Sequence, residues 1–117
     1  CAPTVSIWGT GAALREFLHV DDMAEACVFL LQNYSDLEHV NVGCQQECSI
    51  MVAARLIAKV VGYEGDIVAD AGKPDGTPRK IMDSGKLFGM GWRPRISLRE
   101  GLLDAYRDFL QNPHRGA

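Results

Sequence analysis

Three helical stretches, each opened by its own cap, alternate with strand signals of only about five residues. Between Asp21 and Asn33, the apolar residues Ala24, Cys27, Val28 and Leu31 recur at helical spacing and predict one buried face. Asp21 and Asp22 offer N-cap carboxylates there, and Asp22 with Glu25 fits a capping box. Ser49 opens a second helix whose stripe is Ile50, Ala53, Ala54, Ile57 and Val60; Gly62 closes it, and Arg55 and Lys59 mark its wet side. Ser97-Leu98-Arg99-Glu100 is a capping box that opens a third helix, with Leu98, Leu102, Ala105 and Phe109 inward and Asn112-Pro113 at its end.

Strand signals lie at Thr4–Trp8, Glu16–Val20, His39–Gly43 and Asp66–Asp70. Gly9-Thr10-Gly11 breaks the first two apart. Ala71–Lys80 is polar and turn-rich, centred on Pro74-Asp75-Gly76, and Ser84–Phe88 fits one helical turn stopped by Gly89 and Gly91. The class is therefore mixed α/β. Strands so few and so short do not make a well-covered sheet, so part of the structure is expected to lie outside these 117 residues.

Apolar residues at 47% and charged residues at 23% exclude a disordered tail and a disulfide-dense miniprotein. The net charge of -3 argues against a nucleic-acid or membrane-surface partner. No apolar run reaches the roughly 20 residues of a membrane span. Cys1 to Val5 shows neither a basic start nor an apolar core of a signal peptide, and the expectation is a cytoplasmic protein. Cys1, Cys27, Cys44 and Cys48 are expected as buried or half-buried free thiols. Cys44-x-x-x-Cys48 lacks a nearby His or Cys pair to complete a zinc site, so no metal is expected.

Gly9-Thr10-Gly11 invites comparison with the dinucleotide fingerprint, which needs a third glycine and an opening helix. Leu14 stands at the third position, and Arg15 to Val20 alternates as a strand does. A glycine turn between two extended segments is the better reading. No Gly-x-Ser-x-Gly or Walker loop occurs. Tyr34, Tyr63 and Tyr106 are followed four residues on by Glu38, Ile67 and Leu110, so no Tyr-x-x-x-Lys pair is present. His19 and His39 are expected to be structural. The cluster that stands out is Lys73-Pro74-Asp75-Gly76-Thr77-Pro78-Arg79-Lys80, a proline-stiffened loop holding three cations around a turn. Such a loop suits a diphosphate, and a solvated surface turn has the same composition. Trp8 and Arg15 form a second pair, one an aromatic wall beside a glycine break and the other a fork for phosphate.

Ile7-Trp8-Gly9-Thr10-Gly11, Arg15-Glu16-Phe17-Leu18-His19-Val20-Asp21-Asp22-Met23-Ala24, Asn41-Val42-Gly43 and Lys73 to Lys80 occur in this order. Together they resemble the C-terminal part of the GDP-L-fucose synthases. These are NADP-dependent epimerase-reductases of the extended short-chain dehydrogenase/reductase superfamily. The resemblance covers essentially the whole chain. It implies one unit, residues 1–117, that forms the substrate-binding portion without the N-terminal NADP-binding domain. It implies contact between a GDP-linked 6-deoxy sugar and Trp8, Arg15, Asp75 and Lys80, gathered around one cleft. The family's NADP loop and its catalytic Ser, Tyr-x-x-x-Lys, Cys and His lie upstream of the matching segment, so no catalytic residue is expected here. The helix after Asp21 and the strand at His39–Gly43 would return to the cofactor domain, and without it would favour a homodimer. A related nucleotide-sugar epimerase or dehydratase, and a non-catalytic dimerising module, are the other readings.

Overall fold

A computed structural model describes residues 2–112; the expectations placed on Cys1 and Pro113 lie outside the described residues. The class is α/β as expected, built among the described residues as two small sheets and four helices. Strand β1 (Thr4–Trp8) runs parallel to β4 (Asp66–Asp70), in register from Thr4 opposite Asp66 to Trp8 opposite Asp70. A parallel pair needs a crossover, and helix α2 (Ile50–Val61) lies within it. The second sheet has the order β3-β2-β5: β2 (Leu14–Glu16) is antiparallel to β3 (Glu47–Ser49) and parallel to β5 (Arg79–Lys80).

The locally encoded helices form where their caps place them. Ser49 accepts from the Val52 N–H at the start of α2, and Gly62, at φ 71°, closes it in the left-handed region. Helix α3 (Gly85–Gly89) is the single turn expected after Ser84. Helix α4 (Leu98–Gln111) carries the complete Ser97–Glu100 capping box. Its far end departs from expectation, because Phe109 is exposed rather than inward.

Three features correct the sequence reading. The second strand is Leu14–Glu16 rather than Glu16–Val20, because residues 14–16 have ladder partners on β3, and Leu14 and Arg15 have them on β5 as well. Helix α1 (Val20–Asn33) is capped by His19, whose Nδ1 accepts the Asp21 N–H at 3.2 Å, and not by Asp21 or Asp22. Residues 39–43 form no strand among the described residues, since nothing there offers them a ladder.

Helix α1 also turns an unexpected face inward. Asp22 and Ala26 are buried, and Phe29 and Leu30 are partly so, whereas Ala24, Cys27, Val28 and Leu31 are exposed. The Asp22 carboxylate accepts the Arg95 and Ile96 N–H groups at 3.1 and 3.0 Å, which satisfies it inside the fold. Around Ala26 lies the main core, with Leu87 and Trp92 buried and Leu18, Phe29, Leu30, Val40, Val42, Phe88 and Met90 packed against them.

The molecule is loosely covered. Its accessible surface is 8340 Å², where a compact protein of 12.8 kDa exposes about 6,300 Å². Its radius of gyration is 16.8 Å, against about 13 Å for a compact domain of this length. Among the described residues, no helix is long and apolar enough to cross a membrane.

Candidate nucleotide-sugar site

Residues 9–11 form the expected turn out of β1, with positive φ at both glycines, 73° at Gly9 and 75° at Gly11. A side chain at Gly9 would also strike Asp75, whose Oδ1 lies 2.3 Å from the position of an added Cβ. The closeness has a cause. Asp75 accepts the Thr10 N–H through Oδ1 and the Thr10 hydroxyl through Oδ2, both at 2.9 Å. The glycine turn is thereby fastened to the cationic loop 65 residues away.

Arg15 fastens the same loop from the other side. Its Nη1 donates to Leu14 O and Thr77 O, both at 2.7 Å, and Gly76 lies against its Nη2. In the sheet, Arg15 is the registered partner of Lys80 on β5 and of Cys48 on β3. These three residues therefore form one row on one face of the second sheet. The Lys80 side chain is exposed, and its ammonium has no hydrogen-bond or ion-pair partner among the described residues. Leu14 and Arg79 share the neighbouring row, and Arg79 is neutralised by Glu47 at 2.8 Å.

Trp8 ends β1 with its ring 70% exposed, open for stacking, and the Lys73 ammonium lies 5.5 Å from the ring centroid. Of the four expected residues, Arg15 and Lys80 are adjacent in register. Asp75 lies in this loop and ties it to the glycine turn through Thr10, and Trp8 meets the loop through Lys73. Their expected roles as sugar contacts are a matter for proposal. Arg15 and Asp75 have a further duty that the sequence did not disclose, which is to hold the loop in place.

Other hollows lie elsewhere. One of about 270 Å³ is lined by Phe17, Cys44, Glu47 and Cys48 and by residues 94–98. Another of about 330 Å³ is an apolar groove between α2 and the first sheet, lined by Val5, Ala54, Ile57, Val61 and Ile67 among others. Cys27, Cys44 and Cys48 are free thiols, with Cys27 exposed rather than buried. Burial, and then the neighbouring Cys44, push the Cys48 thiol above its ordinary range, so it stays protonated at neutral pH. His19 has the structural role expected of it, and its Nε2 lies 3.4 Å from Asp104.

Glu16 was read only as part of a strand. Its carboxylate accepts the N–H groups of Cys44 at 3.1 Å, Gln45 at 2.9 Å and Met82 at 2.9 Å. The sequence signal available was Gly43, where an added Cβ would lie 2.6 Å from the Glu16 Oε1.

With this geometry in view, comparison defines the class. Residues 2–43 match the model of the NAD dependent epimerase/dehydratase family. Over that segment the chain is similar to that family. The chain is 59% identical over 111 residues to GDP-L-fucose synthase 1 of Arabidopsis thaliana, covering 95% of this chain and 34% of that protein. It is 47% identical to the GDP-L-fucose synthase of Escherichia coli, covering 97% of this chain and 38% of that protein. The chain thus spans about a third of the length of these relatives. Among solved structures, it superposes with a TM-score of 0.76 on a GDP-mannoheptose C4 reductase from Campylobacter jejuni with NADP bound. That match is 33% identical and covers 92% of this chain and 32% of the reductase.

Proposed function

We propose that this chain is the nucleotide-sugar lobe of a GDP-L-fucose synthase and binds the GDP end of a GDP-linked 6-deoxy sugar without performing catalysis itself. The observation that carries the reading is the registered pair Arg15 and Lys80, two cations side by side, the first on β2 and the second on a two-residue strand held at both ends. A diphosphate placed there gains charge-assisted hydrogen bonds, each worth on the order of 1.5–3 kcal/mol. Trp8 offers its exposed ring as a wall to a base or sugar. Asp75 keeps the loop and the wall in one frame through Thr10, and a carboxylate with two bonds retains lone pairs for a hydroxyl.

The chemistry would come from elsewhere. NADPH supplies hydride to the C4 ketone in such an enzyme, and the acid-base residues for epimerisation and reduction belong to the segment that precedes this one in its relatives. Two surfaces support such a partner. One is the outer stripe of α1, where Val20, Val28 and Leu31 are 71%, 53% and 85% exposed. The other is the 39–43 segment, which has strand composition but no ladder. Burying side chains of that size contributes roughly 1–3 kcal/mol each, and the surface excess above is what an unmet partner leaves. Without that partner, the same stripe favours a homodimer.

Calorimetric titration of the chain with GDP, UDP and dTDP tests the reading. Saturable heat with GDP, lost in Lys80→Ala, is the expected result. No heat with GDP would overturn it. Equal heat with all three nucleotides would move the assignment to another nucleotide-sugar epimerase. A tight dimer in sedimentation with no nucleotide affinity would leave an assembly module.

A further inference from the structure

We infer that Glu16 is the positioning residue of this site: its carboxylate sets the distance between the Arg15 and Lys80 charges by holding the chain on either side of the sheet. The inference rests on the nucleotide reading above.

Strand β5 has two residues, Arg79 and Lys80, and β2 is its sole ladder partner among the described residues. So short a strand is fixed only by what holds its ends, and three consecutive residues of β2 do so. Leu14 N–H donates to Pro78 O at 2.8 Å, and Arg15 Nη1 donates to Thr77 O at 2.7 Å, which secures the entry to β5. Glu16 Oε1 accepts the Met82 N–H at 2.9 Å, which secures the exit two residues after Lys80. Its other oxygen, Oε2, accepts two successive N–H groups, from Cys44 and from Gln45.

Gln45 stands at φ 54°, a left-handed conformation uncommon for a residue other than glycine, and that backbone turn aims neighbouring amides at one anion. Gly43 leaves the room the carboxylate needs. A carboxylate is the group that suits this place, because it accepts at both oxygens and donates at neither. Glutamine has one carbonyl oxygen and would turn an amide N–H toward backbone donors. Glu47, the cross-strand partner of Glu16, makes a useful contrast: it spends its charge on Arg79 and holds no backbone amide.

The test compares the full chain with Glu16→Gln, Gly43→Ala and Glu47→Gln, by GDP calorimetry and by the amide proton spectrum. Glu16→Gln is expected to weaken GDP at least ten-fold. It also shifts the Cys44, Gln45 and Met82 amide protons upfield, because they lose a charged acceptor. Gly43→Ala displaces the carboxylate without removing it and reproduces both effects, which keeps the test open if Glu16→Gln does not fold. Glu47→Gln keeps its affinity within two-fold and leaves the three amides in place. A wild-type chain that binds GDP, with Glu16→Gln or Gly43→Ala binding equally well, overturns the role of Glu16 and spares the site. A wild-type chain with no affinity for GDP overturns the nucleotide reading, and the role with it.

Discussion

The two sides of helix α1 reverse the usual arrangement. Its inner side buries a carboxylate, Asp22 at 2% exposure, beside Ala26 at 0%, while its outer side leaves Leu31 at 85%. Apolarity alone did not choose the inside. Asp22 is inside because two backbone amides of the segment before α4 need an acceptor there, and a satisfied carboxylate tolerates burial that an unsatisfied one does not. The leucine is outside because nothing among the described residues reaches it. An amphipathic stripe reports that a surface expects a partner, and does not say that the partner is in the same 117 residues.

The sharpest way to break this comparison is to remove one side chain from the core under the inner side of α1 and one from its outer side. Leu87→Ala, in the fully buried cluster against Ala26, is expected to cost about 2–5 kcal/mol in urea unfolding. Leu31→Ala on the outer side is expected to change stability by less than about 0.5 kcal/mol. Equal losses would mean that the outer stripe is covered in solution. Next in size is Asp22→Ala, which strands the Arg95 and Ile96 N–H groups; about 2–4 kcal/mol of stability should go. A neutral result would show that those amides find water and that the carboxylate is not the reason for the inverted face.

A smaller effect belongs to the helix with purely local signals. Ser97→Ala should cost about 1 kcal/mol, read as a lower thermal midpoint, because it opens the α4 capping box. The same box has a pH signature. Hydrogen bonds from the Ser97 hydroxyl and then its backbone N–H hold the Glu100 carboxyl below its usual value. A depressed carboxylate lends stability above its unfolded pKa and loses it as pH falls through the folded one. Wild type and Glu100→Gln should therefore converge in midpoint below that range and separate above it. A constant difference across the titration would break the assignment.

What the sequence disclosed follows the same division. The bounds of α2 and α4 were legible because each end is closed locally: Ser49 and Ser97 each accept an N–H three residues on, and Gly62 and Asn112 stop the helices at their far ends. Strand β1 and the glycine turn after it were legible for the same reason. Strands β3 and β5 were not, because three residues and two residues carry no period of their own and exist through their pairing with β2. Of the candidate site, the residue types at Trp8, Arg15, Asp75 and Lys80 were legible. The duties of Arg15 and Asp75 as clasps, and of Glu16 altogether, were not, since each depends on carbonyls or amides from segments 28 to 66 positions away.

By itself, the sequence determined the α/β class, the three main helices with the caps of α2 and α4, and a cationic loop paired with an aromatic residue. These rest on interactions closed within a few residues, where chain connectivity guarantees the meeting. Tertiary structure alone decided which side of α1 faces the core, where the second sheet lies, and that Arg15 stands beside Lys80. Each of those depends on which distant backbone groups arrive to be satisfied, and hydrophobic spacing along one segment carries no record of that.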